Sequence, residues 1–296
     1  MRIELAGYNV DTAVLAEAEQ RGVDPVTLTP EPLSAAYARI SRFDKPVDEL
    51  RRIARSEVAK ARRSNQRIIW EMGHHSVAEH AVFNFDLIRV SRLAIEAVEH
   101  FRLCSFTEKS QRYITLDGDC VLPEEIAQAG LDGPFRQLVA AQNGLYREIY
   151  ETLLDELTEA HPEQAQGKRG RSLLEGQAKE DARYVTALAT EGQLGLTVNA
   201  RNLELMIRRF AAHELLEVRL IGTRLYEAVR AVAPSLVLFV DACALDQATY
   251  PRLAKLAAQH PPGQDDRASP LPGGSAAREL AGGSVQLLGA TEDADV

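Results

Sequence analysis

Apolar and polar side chains alternate over residues 2–8 (Arg-Ile-Glu-Leu-Ala-Gly-Tyr), which predicts a strand ending at Gly7. Residues 10–20 carry helical spacing, and Pro25, Pro30 and Pro32 then break regularity. A long helical pattern runs over 47–70, with Leu50, Ile53, Ala54, Val58 and Ala61 recurring on one side. Its other side is basic: Arg51, Arg52, Arg55, Lys60, Arg62 and Arg63, a face expected to be solvated or paired with acids rather than to bind phosphate. Residues 81–87 alternate again as a strand. Ser91 is a candidate N-cap for a helix whose apolar side is Leu93, Ala94, Ile95, Val98 and Phe101. A further strand is expected at 113–116. Residues 122–160 predict helix, with Leu138, Ala141, Leu145, Ile149 and Leu153 along the apolar face. A polar, glycine-containing segment at 161–170 separates this from a helical run at 171–182. A strand at 194–198 leads into helix from Asn199, continuing through Leu203, Met206, Ile207, Phe210, Leu215 and Val218 until Pro234.

Composition changes this picture little, except at the end of the chain. The 296 residues suffice for one large domain, assigned to 1–250. Beyond it, 251–296 is rich in proline and glycine and reads as a linker or tail. Residues 285–293 echo residues 3–11, so the tail could begin a second repeat; chance similarity of a short apolar strand is the alternative. A net charge of −9 excludes a broad basic footprint for nucleic acid or anionic membrane, so any anion site must be a local arginine cluster. Cys104, Cys120 and Cys243 are odd in number and widely spaced, which suits a reducing cytoplasm rather than a disulfide framework or a zinc site. With no long apolar run and no signal peptide, a soluble cytoplasmic protein is expected.

Three polar segments carry the candidate chemistry. The densest is 100–113, His-Phe-Arg-Leu-Cys-Ser-Phe-Thr-Glu-Lys-Ser-Gln-Arg-Tyr. Arg102 and Arg112, with serine hydroxyls between them, could grip a phosphate through charge-assisted hydrogen bonds; a solvated helix end is the plainer account. The second is Gly73-His74-His75-Ser76-Val77-Ala78-Glu79-His80. Its histidines invite a metal, but neither His-Glu-x-x-His nor His-x-x-Glu-His spacing occurs, so no metal is expected. The third is Thr197-Val198-Asn199-Ala200-Arg201, where Asn199 could equally be an ordinary helix cap.

Arg102-x-x-Ser105-x-x-Glu108-x-Ser110-x-Arg112 resembles the signature of the flavin-dependent thymidylate synthases, which opens Arg-His-Arg and continues x-x-Ser-x-Asn-Glu-x-Ser-x-Arg. His100-Phe101 stands in place of the first Arg-His, and Thr107 in place of the asparagine. Residues 73–80 resemble the family's Gly-His-x-Ser/Thr-Pro-Phe-Glu-His, with Val77-Ala78 for Pro-Phe. Residues 182–188 resemble its Ala-Arg-x-x-Leu-Pro, and 199–201 its Asn-x-Arg.

The resemblance implies an α+β fold with helices around a small, mainly antiparallel sheet. It also implies a homotetramer with sites where subunits meet. FAD would be the cofactor, with NADPH and methylenetetrahydrofolate as co-substrates, and dUMP would be reductively methylated at C5. By the same resemblance His74, Ser76, His100, Phe101, Arg102, Glu108, Asn199 and Arg201 contact the flavin. Glu108, Ser110, Gln111, Arg112 and Arg183 hold the nucleotide. Arg209, or Arg208 if the register slips by one, stabilises negative charge on the pyrimidine. A catalytically degenerate relative that still binds flavin or nucleotide remains the alternative.

Overall fold

The computed structural model describes residues 1–21, 28–112 and 118–248, together with Lys255. The chain divides into two compact units, Met1–Gln247 and Ala248–Val296. The expected strand at 113–116, the tail from 251 apart from Lys255, and the 285–293 echo lie outside the described residues.

Four antiparallel strands, β1 (Arg2–Tyr8), β2 (Val82–Ser91), β4 (Glu191–Asn199) and β3 (Cys104–Glu108), form one sheet in the order β1-β2-β4-β3. Alternation fixes which face goes inward: Phe83, Phe85 and Leu87 on β2 and Leu194, Leu196 and Val198 on β4 are buried. Asn84, Asp86 and Thr197 point to the opposite, polar face, where Asn84 Nδ2 donates to Thr197 Oγ1 at 2.7 Å. The β2–β4 register shifts between Ile88 and Val90, where Arg89 takes a φ of 61°. This bulge re-phases the strand so that Val90 and Ser91 both turn inward.

Helices α5 (Arg92–Glu99), α10 (Ala200–Ala211) and α11 (Leu216–Val229) supply the apolar side chains that meet the inner face. Ile95 and Val98 come from α5, Leu203, Met206 and Phe210 from α10, and Val218, Ile221 and Leu225 from α11. Each such burial contributes about 1.5–3 kcal/mol. Ser91 caps α5 by accepting from Ala94 N at 3.1 Å. A Cβ on Gly222 would come 2.9 Å from Phe210 Cβ, so glycine permits the close approach of α10 and α11.

The structure corrects several expectations. The 47–70 helix is two helices, α3 (Val47–Ser56) and α4 (Val58–Gln66), followed by a π-helical turn at Arg67–Glu71. They part at Glu57, whose φ of −136° and ψ of 62° leave helical space. After α1 (Thr12–Arg21), the prolines at 30 and 32 start a helix rather than end one, because a missing N–H is tolerated in a first turn: α2 runs Glu31–Ile40. The helical region of 122–160 is α6 (Glu124–Gln128) plus α7 (Asp132–Ala160), but its buried side chains are Val139, Asn143 and Tyr146. The expected Leu138 and Leu145 are exposed. The polar break at 161–170 is itself mostly helical, α8 (Pro162–Gln166), and α9 starts early, at Lys168–Ala182. The single helix expected after Asn199 breaks between α10 and α11, where His213 Nδ1 accepts from Leu215 N at 3.1 Å. Burial holds His213 below its ordinary imidazole value, which keeps that nitrogen an acceptor.

Much of the basic face is paired. Arg55 donates to Asp11 at 2.8 Å, Arg51 lies 3.8 Å from the same carboxylate, and Arg62 pairs with buried Glu31. Burial pushes the Asp11 carboxyl up, but the Ala13 amide and the two arginines outweigh it and hold the group below the ordinary carboxylate value. None of the described helices is long and apolar enough to cross a membrane.

Candidate functional site

The π-helical turn delivers the chain to Gly73, whose φ of 68° suits glycine and turns the backbone into the 3₁₀ segment His75–His80. Residues 73–80 are thereby held at the protein surface with only Ala78 fully buried. Two contacts tie this segment to the start of α10. Ala200 N donates to Ala81 O at 2.9 Å, and Glu79 forms an ion pair with Arg201. His75 Nδ1 lies 3.9 Å from Glu204 Oε1, while Glu204 Oε2 accepts from the amides of Leu238 and Phe239. Asn199 is the helix cap that the plainer account expected, its Oδ1 accepting from Asn202 N at 3.0 Å.

The 100–113 segment joins them through Leu103. A cleft of about 390 Å³ is lined by His75, Glu79, Leu103, Arg201, Glu204 and Arg208, among others, so all three polar segments contribute to one wall. Glu79 also lines a second cavity of about 390 Å³ with Arg42, His74, Ser76 and His80. That cavity shares Ala38, Arg42 and Ile68 with a larger one of about 730 Å³. The larger cavity has an apolar floor (Ala38, Leu50, Ile53, Ile68) and a cationic rim that includes Arg39, Arg42, Arg63 and Arg67. Arg42 reaches toward His74 Nε2 at 3.5 Å and Met72 Sδ at 3.3 Å.

The rest of the signature lies elsewhere. The 100–113 stretch contains an edge strand, β3, rather than a solvated helix end alone, and Ser110, Gln111 and Arg112 follow its far end. There Arg112 meets Glu180 at 3.4 Å, and Arg183 approaches the same carboxylate at 4.0 Å. Ser110 Oγ accepts from Arg112 N at 3.3 Å. Two arginines expected to hold a phosphate thus already converge on one anion. Gln111 sits half-buried between Ser110 and Arg112.

Phe101 sets its ring edge-on against Phe210, at 5.6 Å and 87°, and packs on the main core. His100 closes α5 and is exposed, as is Arg102. Glu108 lies 3.8 Å from Arg92, which also meets Glu96 at 2.8 Å and Glu99 at 3.7 Å. Burial and the nearby Glu108 push the Glu99 carboxyl above its ordinary value despite Arg92. Cys104 donates to Phe101 O at 2.9 Å, and burial raises its thiol above the ordinary value against the pull of Arg102. A protonated, tethered thiol is packing rather than a nucleophile. Among the described residues no group of three or more His, Cys, Asp and Glu is disposed to hold a metal ion.

Arg208 and Arg209 end α10 beside one carboxylate, with Nε at 2.9 and 3.5 Å from Asp246. Sequence reasoning missed Asp246, Glu180 and Arg42. Nothing near position 246 or 180 marks an acid as special, and Arg42 follows a helix hidden by its prolines.

Comparison with known proteins accords with this arrangement. Residues 26–235 match the family described as "Thymidylate synthase complementing protein". The flavin-dependent thymidylate synthase of Geobacter sulfurreducens is 29% identical over 213 residues, covering 71% of this chain and 82% of that protein. That of Nitratidesulfovibrio vulgaris is 30% identical over 223 residues, covering 72% and 84%. In fold, the chain is similar to the UMP/dUMP methylase PolB from Streptomyces cacaoi, crystallised with 5-Br dUMP, at a TM-score of 0.53 and 17% identity over 80% of this chain and 92% of that one. An antiparallel sheet under helices, three polar segments in the family's order, and a family match over most of the chain lead to one conclusion: this chain belongs to the flavin-dependent thymidylate synthase family.

Proposed function

We propose that this chain is a flavin-dependent thymidylate synthase that methylates dUMP reductively to dTMP, using FAD, NADPH and methylenetetrahydrofolate. The observation that carries the reading is the meeting of His75 and Glu79, Leu103, and Arg201 and Arg208 on one cleft. The adjoining cavities suit a long, flat, doubly phosphorylated cofactor. Their volumes fall within the range of small-molecule sites, and the larger has an apolar floor and a cationic rim while the smaller brings His74, Ser76 and His80 beside Arg42. Arg42, His74 and Ser76 would hold the phosphates, Arg39 and Arg63 would flank the rest of the dinucleotide, and Arg201, steadied by Glu79, would face the ring end. A bound flavin supplies the two-electron reduction that the one-carbon transfer requires.

The chain's own residues do the placing. Arg112 and Arg183 would exchange Glu180 for the nucleotide phosphate, with the Ser110 hydroxyl as a further donor. Arg209 would stabilise charge developing on the pyrimidine. Strand β3 is about 13 Å long at 3.3 Å per residue, so the Arg112 cluster and the Leu103 cleft stand at its opposite ends. The family resemblance implies that a second protomer brings its Arg112 end to the first protomer's cleft. The exposed Leu138 and Leu145 of α7 and Leu173 of α9 support such a homo-oligomer, the tetramer being our expectation.

A second reading, flavin and nucleotide binding without turnover, is favoured by Phe101, whose ring is engaged by Phe210 where the family carries a histidine. Tritium release from 5-tritiated dUMP, with NADPH and methylenetetrahydrofolate present, separates the two. Release that requires all three supports the synthase; a yellow protein giving none supports the second reading. UMP belongs in the same assay, since the fold neighbour's name includes it. Arg112→Ala should weaken dUMP binding by roughly tenfold or more while flavin stays bound, because a charge-assisted bond of about 1.5–3 kcal/mol is lost. Equilibrium titration with dUMP measures this, and unchanged affinity would remove Arg112 from the phosphate site.

A further inference from the structure

Asp246 is 3% exposed and stands beyond residue 235, where the family match ends. It nevertheless contacts the two arginines that end α10. Arg208 Nε lies 2.9 Å from Oδ2 and Arg209 Nε 3.5 Å from Oδ1, one oxygen for each guanidinium. The carboxylate is itself anchored, because Cys243 N and Cys243 Sγ both donate to Oδ2, at 3.1 and 3.0 Å. The turn holding it is closed by Gln247 N donating to Cys243 O at 3.0 Å. About a third of each arginine side chain stays exposed, 30% and 37%, so the carboxylate grips the inner side of each and leaves the rest open.

We infer that Asp246 is a positioning residue, supplied from outside the family-matched region, that fixes the guanidiniums of Arg208, which lines the cleft, and of its neighbour Arg209. What the fixed arginine does there rests on the function proposed above. The physical need is plain. An arginine side chain on the surface samples many rotamers, and a cation stabilises a transition state best when it is already in place and need not reorganise. Two adjacent cations at a helix end repel each other, and one shared carboxylate removes that repulsion. Asp246 is held below the ordinary carboxylate value: burial opposes this, and the Cys243 donors and the two arginines outweigh it. It is therefore anionic at neutral pH.

The test uses the full-length, flavin-loaded protein and the variants Asp246→Asn and Asp246→Glu. Phenylglyoxal modifies accessible arginines, and peptide mass mapping reads the rate at each one. In Asp246→Asn, modification at Arg208 and Arg209 should accelerate severalfold while exposed Arg136 is unchanged. If the rates at 208 and 209 do not move, the clamp does not exist in solution and the inference falls. In the dUMP assay, Asp246→Asn should lower kcat by between about tenfold and a hundredfold with KM for dUMP held within about twofold, the signature of lost orientation. Asp246→Glu should recover part of that loss. Faster modification with unchanged kcat, or a change in KM alone, would overturn the positioning role. Adding Asp246→Asn to Arg209→Lys should cost little more than Arg209→Lys alone, because both act through one group; full additivity would contradict it. If the unmodified protein turns over no dUMP, the proposed function fails, and the modification rates still decide the clamp.

Discussion

Arg209→Ala should reduce turnover of dUMP by about a hundredfold to a thousandfold while the purified protein remains yellow. The magnitude is that of removing one preorganised group from a site of developing negative charge. Arg209 sits in the last turn of α10, where a cation complements the helix dipole, and it is held by Asp246 rather than buried in the core. Its loss should therefore leave folding and flavin occupancy intact. Steady-state kinetics on Arg208→Ala and Arg209→Ala, side by side, settle the register. A larger loss at Arg208, which lines the cleft, would transfer the role to it. Losses below about fivefold at both would remove this electrostatic step from the mechanism.

The largest effect on stability should come from Glu31→Ala. Glu31 is fully buried, and its carboxylate takes Ser235 N at 2.8 Å, Ser235 Oγ at 2.6 Å and the guanidinium of Arg62. The neighbouring Thr29 hydroxyl donates to Val232 O at 2.6 Å, and Asn65 Nδ2 donates to Glu31 O at 3.1 Å. One side chain thus fastens α2 and α4 to the segment following α11. Alanine would leave Arg62 and Ser235 without their acceptor in the interior. Breaking a buried charge pair in this way costs about 3–5 kcal/mol. At about 2–4 °C per kcal/mol for a chain of this size, the melting temperature should fall by roughly 10 °C. A fall of less than about 2 °C would mean that water or a rearranged Arg62 replaces the carboxylate.

The fold was legible wherever one physical period dominated. Strict alternation in residues 2–8 and 81–87 predicts strands close to those observed, and Ser91 and Asn199 mark helix starts, because a short side-chain acceptor ahead of an apolar run is well placed to cap it. Misreadings arose where two periods or two roles compete. Proline at 32 reads as a breaker until its place in the first turn is known. The stripe of Leu138 and Leu145 reads as core, yet α7 buries Val139, Asn143 and Tyr146, the last against Ala182 at the end of α9, and leaves those leucines out. An apolar stripe left exposed has the same spacing as one packed in the chain's own core.

At the site, the polar segments could be named from sequence because they carry costly, unlike residues in close succession. Their partners could not. Glu180 joins Arg112 and Arg183, and Asp246 joins Arg208 and Arg209, across distances along the chain that no local pattern encodes. Phe101 shows the same limit: its place in the signature pointed to the flavin, and its ring packs against Phe210.

The most direct test of the account follows the flavin itself. Under anaerobic conditions NADPH should bleach the protein's flavin absorbance, and the colour should return only when dUMP and methylenetetrahydrofolate are both added, with dTMP formed in equal amount. A protein that purifies colourless and takes up no FAD, or whose reduced flavin reoxidises without the nucleotide, would contradict it.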